Sequence, residues 1–235
     1  MNENFHTNFQ DSIIQSYRFF QMRLINEGLG KITPHYIFLF LNYMFAEFEK
    51  YIRTQASVTD EDIKLFRETA VEKTMRRKDF LLQQGEVCRY KAFVSKGILR
   101  NYRTTNDGSE HILQFSPENS WITDPESFEK ATPSNYNIEA LENSELVMWT
   151  KKDFGYLLNN VPQLKSYSNK LISRNLYLTR QRVFSAISAT AEEKYDEFIR
   201  MYPDIITRVP LHMVASFLGV SRETLSRIRH AQVKE

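Results

Sequence analysis

Residues 211–230, with the sequence LHMVASFLGVSRETLSRIRH, constrain the fold of this chain most. Val214 and Phe217 are spaced as the inner face of a first helix, and Ala215 supplies the small side chain that two closely crossing helices need. Gly219 can adopt the left-handed backbone that ends a helix and opens a tight turn. This order of residue types predicts a short helix followed at once by a second one.

The second helix of this pair is predicted to begin after Ser221, a favourable N-cap residue. Leu225 and Ile228 would face the first helix, and the opposite face carries side chains that bind base edges and phosphates in a major groove. A helical hairpin with a solvated charged face is the alternative, but it would not need these turn residues together. We therefore interpret the stretch as a DNA-binding helix-turn-helix, whose DNA-binding residues would be Ser221, Arg222, Glu223, Ser226, Arg227 and Arg229.

Composition bounds the remaining possibilities. The 235 residues suit one large or two small domains, and a net charge of +2 excludes a global basic field. Residues 205–235 carry five basic and two acidic side chains, a local surplus that includes Arg208 and suits phosphate contact. A single cysteine, Cys88, excludes an internal disulfide framework and is interpreted as a small buried residue.

The first 43 residues receive no assigned role; they form an N-terminal extension, or precede a natural start at Met44. No basic segment followed by an apolar core marks a signal peptide. The most apolar run, residues 36–48, is too short to span a bilayer. We expect a cytoplasmic protein that does not enter the membrane.

Residues 71–150 show short alternating runs separated by turn signals. Asn106-Asp107-Gly108 between two such runs is a strong hairpin signal. Many short strands at regular spacing predict an α+β chain built on a jelly-roll β-barrel or sandwich. The expected domains are the extension 1–43, a sensor barrel over 44–160, a long helix over 161–188 and a helix-turn-helix domain over 189–235.

A leucine repeat runs through the long helix. Leu164, Leu171 and Leu178 recur every seven residues. This pattern predicts a coiled-coil-like seam between two copies of the chain. A helix packed on its own barrel is the alternative.

Two stretches resemble the Crp/Fnr family of bacterial transcription regulators. They are FLLQQGEVCRYKAFVSKGILRNYRTTNDGSEHILQF, residues 80–115, and SRETLSRIR, residues 221–229, and the resemblance extends over residues 44–234. It implies a cyclic-nucleotide-binding-like barrel, a homodimer on near-palindromic double-stranded DNA, and RNA polymerase as a plausible partner. We expect no cofactor, since a lone cysteine cannot ligate an iron–sulfur cluster. Arg222, Glu223 and Arg227 match the family's Arg-Glu-x-x-x-Arg, which implies recognition of a TGTGA-like half-site.

The chain departs from the family in the cassette that would hold a cyclic phosphate. Thr123-Asp124-Pro125 stands where Gly-Glu-Leu is expected, and Ser134 replaces the phosphate-binding arginine. Losing that charged partner predicts a barrel that does not bind cyclic AMP, so any small-molecule effector is unidentified. Because few residues follow the predicted recognition helix, we also expect no C-terminal wing hairpin. The candidate pocket residues are Trp121, Asp124, Ser134, Asn135 and Tyr136, with core packing as the alternative use of Trp121 and Tyr136.

Other chemistry finds little support in the sequence. Of five scattered histidines only His111 falls among the predicted strands, so no metal site is expected. No phosphate loop, nucleophile elbow or paired-carboxylate motif occurs, which argues against an enzyme. Glu110, Glu126 and Glu139 are interpreted as surface charges. A ligand-binding or protein-interaction module with a decayed DNA-binding domain is the alternative function, and the intact recognition residues argue against it.

Overall fold

The computed structural model describes residues 34–232, with side chains from residue 44 to residue 231. The chain divides into two compact units, Met1–Tyr43 and Met44–Glu235, of which the second is described below. The role of the N-terminal extension therefore falls almost entirely outside the described residues. Within the described part, no helix is both long and apolar enough to cross a membrane.

Two helices open the described chain: α1 (Pro34–Gln55) and α2 (Asp60–Thr69). The sequence Thr-Asp-Glu-Asp over residues 59–62 predicts a helix start, and Thr59 caps α2 in a capping box with Asp62. Phe48 of α1 is fully buried and lies edge-on to Phe66 and Phe93, so both helices cover one face of the sheet that contains Phe93.

In the part of the chain that the structure describes, eight antiparallel strands form two four-stranded sheets, in the orders β1-β8-β3-β6 and β2-β7-β4-β5. The alternating runs predicted most of these strands, but not β1, the short β6 or the helix α3 (Pro125–Lys130) that follows β6. The two sheets remain separate ladders, so the architecture is a jelly-roll sandwich rather than a closed barrel. The strands are β1 (Val71–Met75), β2 (Phe80–Leu82), β3 (Tyr90–Lys96), β4 (Leu99–Thr104), β5 (Glu110–Ser116), β6 (Ser120–Ile122), β7 (Asn137–Ala140) and β8 (Ser144–Thr150).

Glycines make two of the turns between strands. Gly108 has a φ of 83° in the hairpin between β4 and β5, which confirms the hairpin predicted from Asn-Asp-Gly. Gly97 has a φ of 94°, and a Cβ there would lie 2.8 Å from the Cα of Ser144. Only glycine fits this second turn, because a side chain would meet backbone.

The C-terminal third is helical. A separate helix precedes the long helix, and the two are divided at Val161, because Pro162 lacks the N–H that would continue the hydrogen-bond ladder. The helices are α4 (Lys151–Asn160), α5 (Pro162–Ser188), α6 (Ala191–Met201), α7 (Ile205–Arg208), α8 (Leu211–Leu218) and α9 (Arg222–Gln232).

The three leucines of the repeat in α5 differ in exposure, and of the three only Leu178 is exposed, by 40%. Leu164 is fully buried within the protomer, and Leu171 is half-buried. The prediction that Leu164 lines a dimer interface is wrong, since its side chain is already covered by its own chain. A different face of α5 is apolar and exposed, and it consists of Ile172, Leu176, Val183 and Ile187. We call these four residues the apolar face of α5.

Candidate nucleic-acid interface and sensor pocket

The helix-turn-helix has the local geometry that its sequence predicts. Gly219 ends α8 in the left-handed conformation with a φ of 67°. The N–H of Val220 then donates to the carbonyl of Ala215 at 3.1 Å, which closes the turn. Ser221 Oγ accepts a hydrogen bond from the N–H of Thr224 at 3.1 Å, so it caps the N-terminus of α9.

Helix α9 has one buried and one exposed face. Leu225 is fully buried and Ile228 is 4% exposed, both within the core that holds α8. The outward face therefore has a fixed direction and carries donors and acceptors of the kind that read base edges. Ser221, Arg222, Glu223, Arg227 and Arg229 are exposed, and Ser226 is half-buried.

Arg208 does not belong to this surface. Its guanidinium donates to both carboxylate oxygens of Glu118, at 2.9 and 2.8 Å, and also pairs with Glu142. Its hydrogen bonds to Glu118 and Glu142 raise the pKa of Arg208. Since this charge is neutralised by the sandwich, the expectation that Arg208 contributes to phosphate contact is wrong.

The helix-turn-helix packs directly against strand β5, a contact that the sequence analysis missed. The ring of Phe115 lies 5.3 Å from that of Phe217 and 6.2 Å from that of Phe198. Ser216 Oγ donates to the carbonyl of Glu110 at 2.6 Å and accepts from the N–H of Ile112 at 3.1 Å. These are long-range contacts, and the only sequence signal for them is a serine among the apolar residues of α8.

The cassette region is tied together by its own side chains. Asp124 is 4% exposed and Ser134 is 3% exposed, and Ser134 Oγ donates to Asp124 Oδ2 at 2.6 Å. The other carboxylate oxygen of Asp124 accepts from the N–H of Glu126 at 3.2 Å and, more weakly, from that of Ser127 at 3.5 Å. Asp124 is thus the N-cap of α3, with both oxygens engaged.

The other candidate pocket residues lie in different surroundings. Trp121 packs in an aromatic cluster, with ring centroids 5.5 Å from Phe93 and from Trp149 and 6.0 Å from Phe154. Its indole N–H donates to the hydroxyl of Tyr167 at 3.1 Å. Asn135 is exposed and Tyr136 is half-buried. Of the five candidates, only Asp124 and Ser134 form a buried polar pair, and Trp121 is a half-buried member of an aromatic cluster.

A buried charge network crosses the second sheet. Arg100, 5% exposed, donates to Glu139 at 2.9 and 2.5 Å and to Glu110 at 2.6 Å. Its guanidinium also lies 3.9 Å from the ring centroid of Tyr102. Glu139 is 8% exposed, so its interpretation as a surface charge is wrong. Arg100 is fully engaged and does not replace the missing cassette arginine.

His111 is exposed, as is the hairpin before it. Among the described residues, no group of three or more histidine, cysteine or acidic side chains is arranged to hold a metal ion.

Comparisons with known proteins agree with this architecture. The family model described as "cyclic nucleotide-binding domain" matches residues 72–161. The nitrogen fixation regulation protein FixK of Bradyrhizobium diazoefficiens is 25% identical over 145 residues, which are 57% of this chain and 60% of that protein. The transcriptional activatory protein AadR of Rhodopseudomonas palustris is 26% identical over 164 residues, 64% of this chain and 66% of that protein. The chain therefore spans less than two thirds of the length of these curated relatives.

Among solved structures, FixK2 from Bradyrhizobium japonicum superposes with a TM-score of 0.62 over 70% of this chain and 85% of that chain. The sequence identity is 16%, so this similarity shows the fold alone. Fold and site together define a cyclic nucleotide-binding domain that is followed by a long helix and a helix-turn-helix. Residues 72–161 therefore belong to the cyclic nucleotide-binding domain family, and over more than half of its length the chain is similar to the regulatory proteins FixK and AadR.

Proposed function

We propose that this chain is a sequence-specific DNA-binding transcription regulator. The observation that carries the proposal is the outward face of α9, where Arg222, Glu223 and Arg227 are exposed above a fully packed inner face. Arginine side chains match the acceptors of guanine, and glutamate matches the amino group of cytosine. Because the helix is N-capped and anchored by Leu225, these side chains are presented in a fixed order to a major groove.

The regulator works as a homodimer in this proposal. The apolar face of α5 exposes Ile172 by 63%, Leu176 by 52%, Val183 by 55% and Ile187 by 82%. These residues follow at intervals of four, seven and four, so they lie along one side of the helix. A second copy of α5 covers this face by symmetry. Two recognition helices then meet a near-palindromic site with half-sites about one helical turn apart.

The sensor domain does not bind cyclic AMP or cyclic GMP in this proposal. Asp124 already caps α3, so a carboxylate of the chain itself stands at the helix N-terminus of the cassette. Its charge repels a cyclic phosphate, and Ser134 offers no positive charge to offset that repulsion. Any effector is therefore of a less anionic class. We expect the protein to act beside the chromosome, in the cytoplasm.

Footprinting on genomic DNA tests the proposed function. Purified protein should protect discrete sites that share a near-palindromic sequence. A triple variant with Arg222, Glu223 and Arg227 changed to alanine serves as the control, since these exposed changes leave the packed face of α9 intact. Uniform coating of DNA, or protection by the triple variant at the same sites, would contradict the proposal.

A further inference from the structure

Arg182 of α5 binds three backbone carbonyls that belong to two other parts of the molecule. Its guanidinium donates to the carbonyl of Ile112 at 3.1 Å, to that of Leu113, and to that of Phe217 at 2.8 Å. It also lies 3.8 Å from the centroid of the Phe217 ring. One side chain thus joins the long helix, strand β5 and helix α8.

The carbonyls that Arg182 binds are ones that regular structure leaves without a partner. Phe217 is in the last turn of α8, where helix carbonyls have no intrahelical donor. Ile112 and Leu113 lie on β5, which is the edge of its sheet. No carboxylate among the described residues pairs with Arg182, and burial lowers the pKa of its guanidinium. An arginine remains charged even so, and its planar fork can serve several acceptors at once.

The position of Arg182 on α5 relates its contact with the helix-turn-helix to the proposed dimer contact of the same helix. Arg182 follows Leu164 by eighteen residues, which is five helical turns, so both side chains leave the helix on the same side. Leu164 is buried within the protomer, whereas Val183, next to Arg182, belongs to the apolar face of α5. The same helix therefore carries the proposed dimer contact on one side and the contact with the helix-turn-helix on another.

We infer that Arg182 is a positioning residue for DNA recognition, which fixes the orientation of α9 relative to the dimer-forming face of α5 and so sets the spacing between the two half-sites. This inference rests on the proposed function. Ser216 assists from the other side of the contact, because its hydroxyl bridges Glu110 and Ile112 of β5. The contact acts on orientation and not on base reading, since Arg182 lies outside α9.

The test measures binding to palindromes that share one half-site and differ in spacer length by single base pairs. The half-site is the one selected by the wild-type protein, and the dissociation constant is read by fluorescence anisotropy. Wild type should prefer one spacer sharply. Arg182→Met keeps most of the side-chain length but loses the donors, so the ratio of dissociation constants between the best and the next spacer should fall toward one. Arg174→Met, an exposed change on the same helix, should keep the wild-type ratio.

Each outcome decides a separate point. If wild type shows no sequence preference, the proposed function fails. If Arg182→Met remains a folded dimer and keeps the wild-type ratio, whether its affinity is lower, equal or higher, the inference about Arg182 is overturned while the proposed function stands. If Arg182→Met does not fold, the same series on Ser216→Ala decides, with a lower ratio expected and an unchanged ratio overturning the inference.

Discussion

Ser134 Oγ lies 2.6 Å from Asp124 Oδ2, and both residues are almost completely buried. The sequence resemblance predicts a phosphate-binding arginine at position 134 and the glutamate of Gly-Glu-Leu at position 124, whereas here the two side chains bind each other. The pair keeps α3 capped without any ligand. This part of the sensor domain has thus become an internal structural link.

The first prediction concerns nucleotides. Calorimetric titration with cyclic AMP and with cyclic GMP should show no binding at micromolar concentrations, because the acidic side chain of Asp124 caps α3 at this place and has no basic partner in its hydrogen bonds. A Crp/Fnr protein that retains the cassette arginine is the positive control. A micromolar dissociation constant for either nucleotide would contradict the assignment of Asp124.

The second prediction concerns the dimer. Val183→Glu should give a folded monomer in sedimentation velocity, since a carboxylate in the covered apolar face of α5 would lose its hydration. DNA affinity should collapse with it. Gln181→Glu adds the same charge at an exposed position of the same helix and should leave the dimer intact. Leu164→Ala should instead lower the free energy of unfolding by about 2–5 kcal/mol without changing the oligomeric state.

Glu72 gives the third prediction. Burial raises its pKa to about 7, and repulsion from Glu145 adds to this, while Arg67 and the N–H of Phe45 act in the opposite direction. A folded-state pKa above the ordinary value of about 4.5 means that the folded protein holds the proton more tightly. The contribution of Glu72 to the stability of the folded protein is therefore fully present below pH 4.5 and is lost as the pH rises through about 7.

Replacing the carboxyl of Glu72 by an amide should remove this loss of stability at high pH. Glu72→Gln should be more stable than wild type at pH 8, by roughly 1–3 kcal/mol in urea unfolding, and the gain should shrink as the pH falls toward 5. Glu68→Gln, at an exposed position, should show no such trend. A gain at pH 5 as large as at pH 8 would show that Glu72 is not protonated on folding.

The fourth prediction concerns Arg227. Arg227→Ala should weaken specific binding by about 1–3 kcal/mol and relax the preference at one guanine, as expected for a side chain that reads a base edge. The measurement is competition binding against sites that vary one base at a time. An equal loss on every sequence would reassign Arg227 to phosphate contact.

Local features of this fold could be predicted from the sequence. Gly219 and Ser221 fix the turn of the helix-turn-helix through backbone conformation and capping, which depend on neighbours in the chain. The capping box of Thr59 and the hairpin at Gly108 are of the same kind. In each case the conformational preference of a residue type determines the local backbone, and tertiary contacts are not needed to explain it.

Long-range relationships could not be predicted in this way. The repeat at Leu164 identifies an apolar side of α5, but whether the sandwich or a second chain covers it depends on contacts far along the sequence. Glu139 looks like a surface charge until its strand is placed beside Arg100. The contacts of Arg182 with β5 and α8 bring together residues up to seventy positions apart, and no local sequence pattern predicts them.

Selection of binding sites from a pool of random double-stranded DNA tests the central claim most directly. The wild-type protein should enrich one near-palindromic sequence, with guanines at matching positions of both half-sites. The variant with Arg222, Glu223 and Arg227 changed to alanine should enrich none. Failure of the wild-type protein to enrich any sequence, or enrichment of the same sequence by both proteins, would contradict the claim that the exposed face of α9 reads DNA.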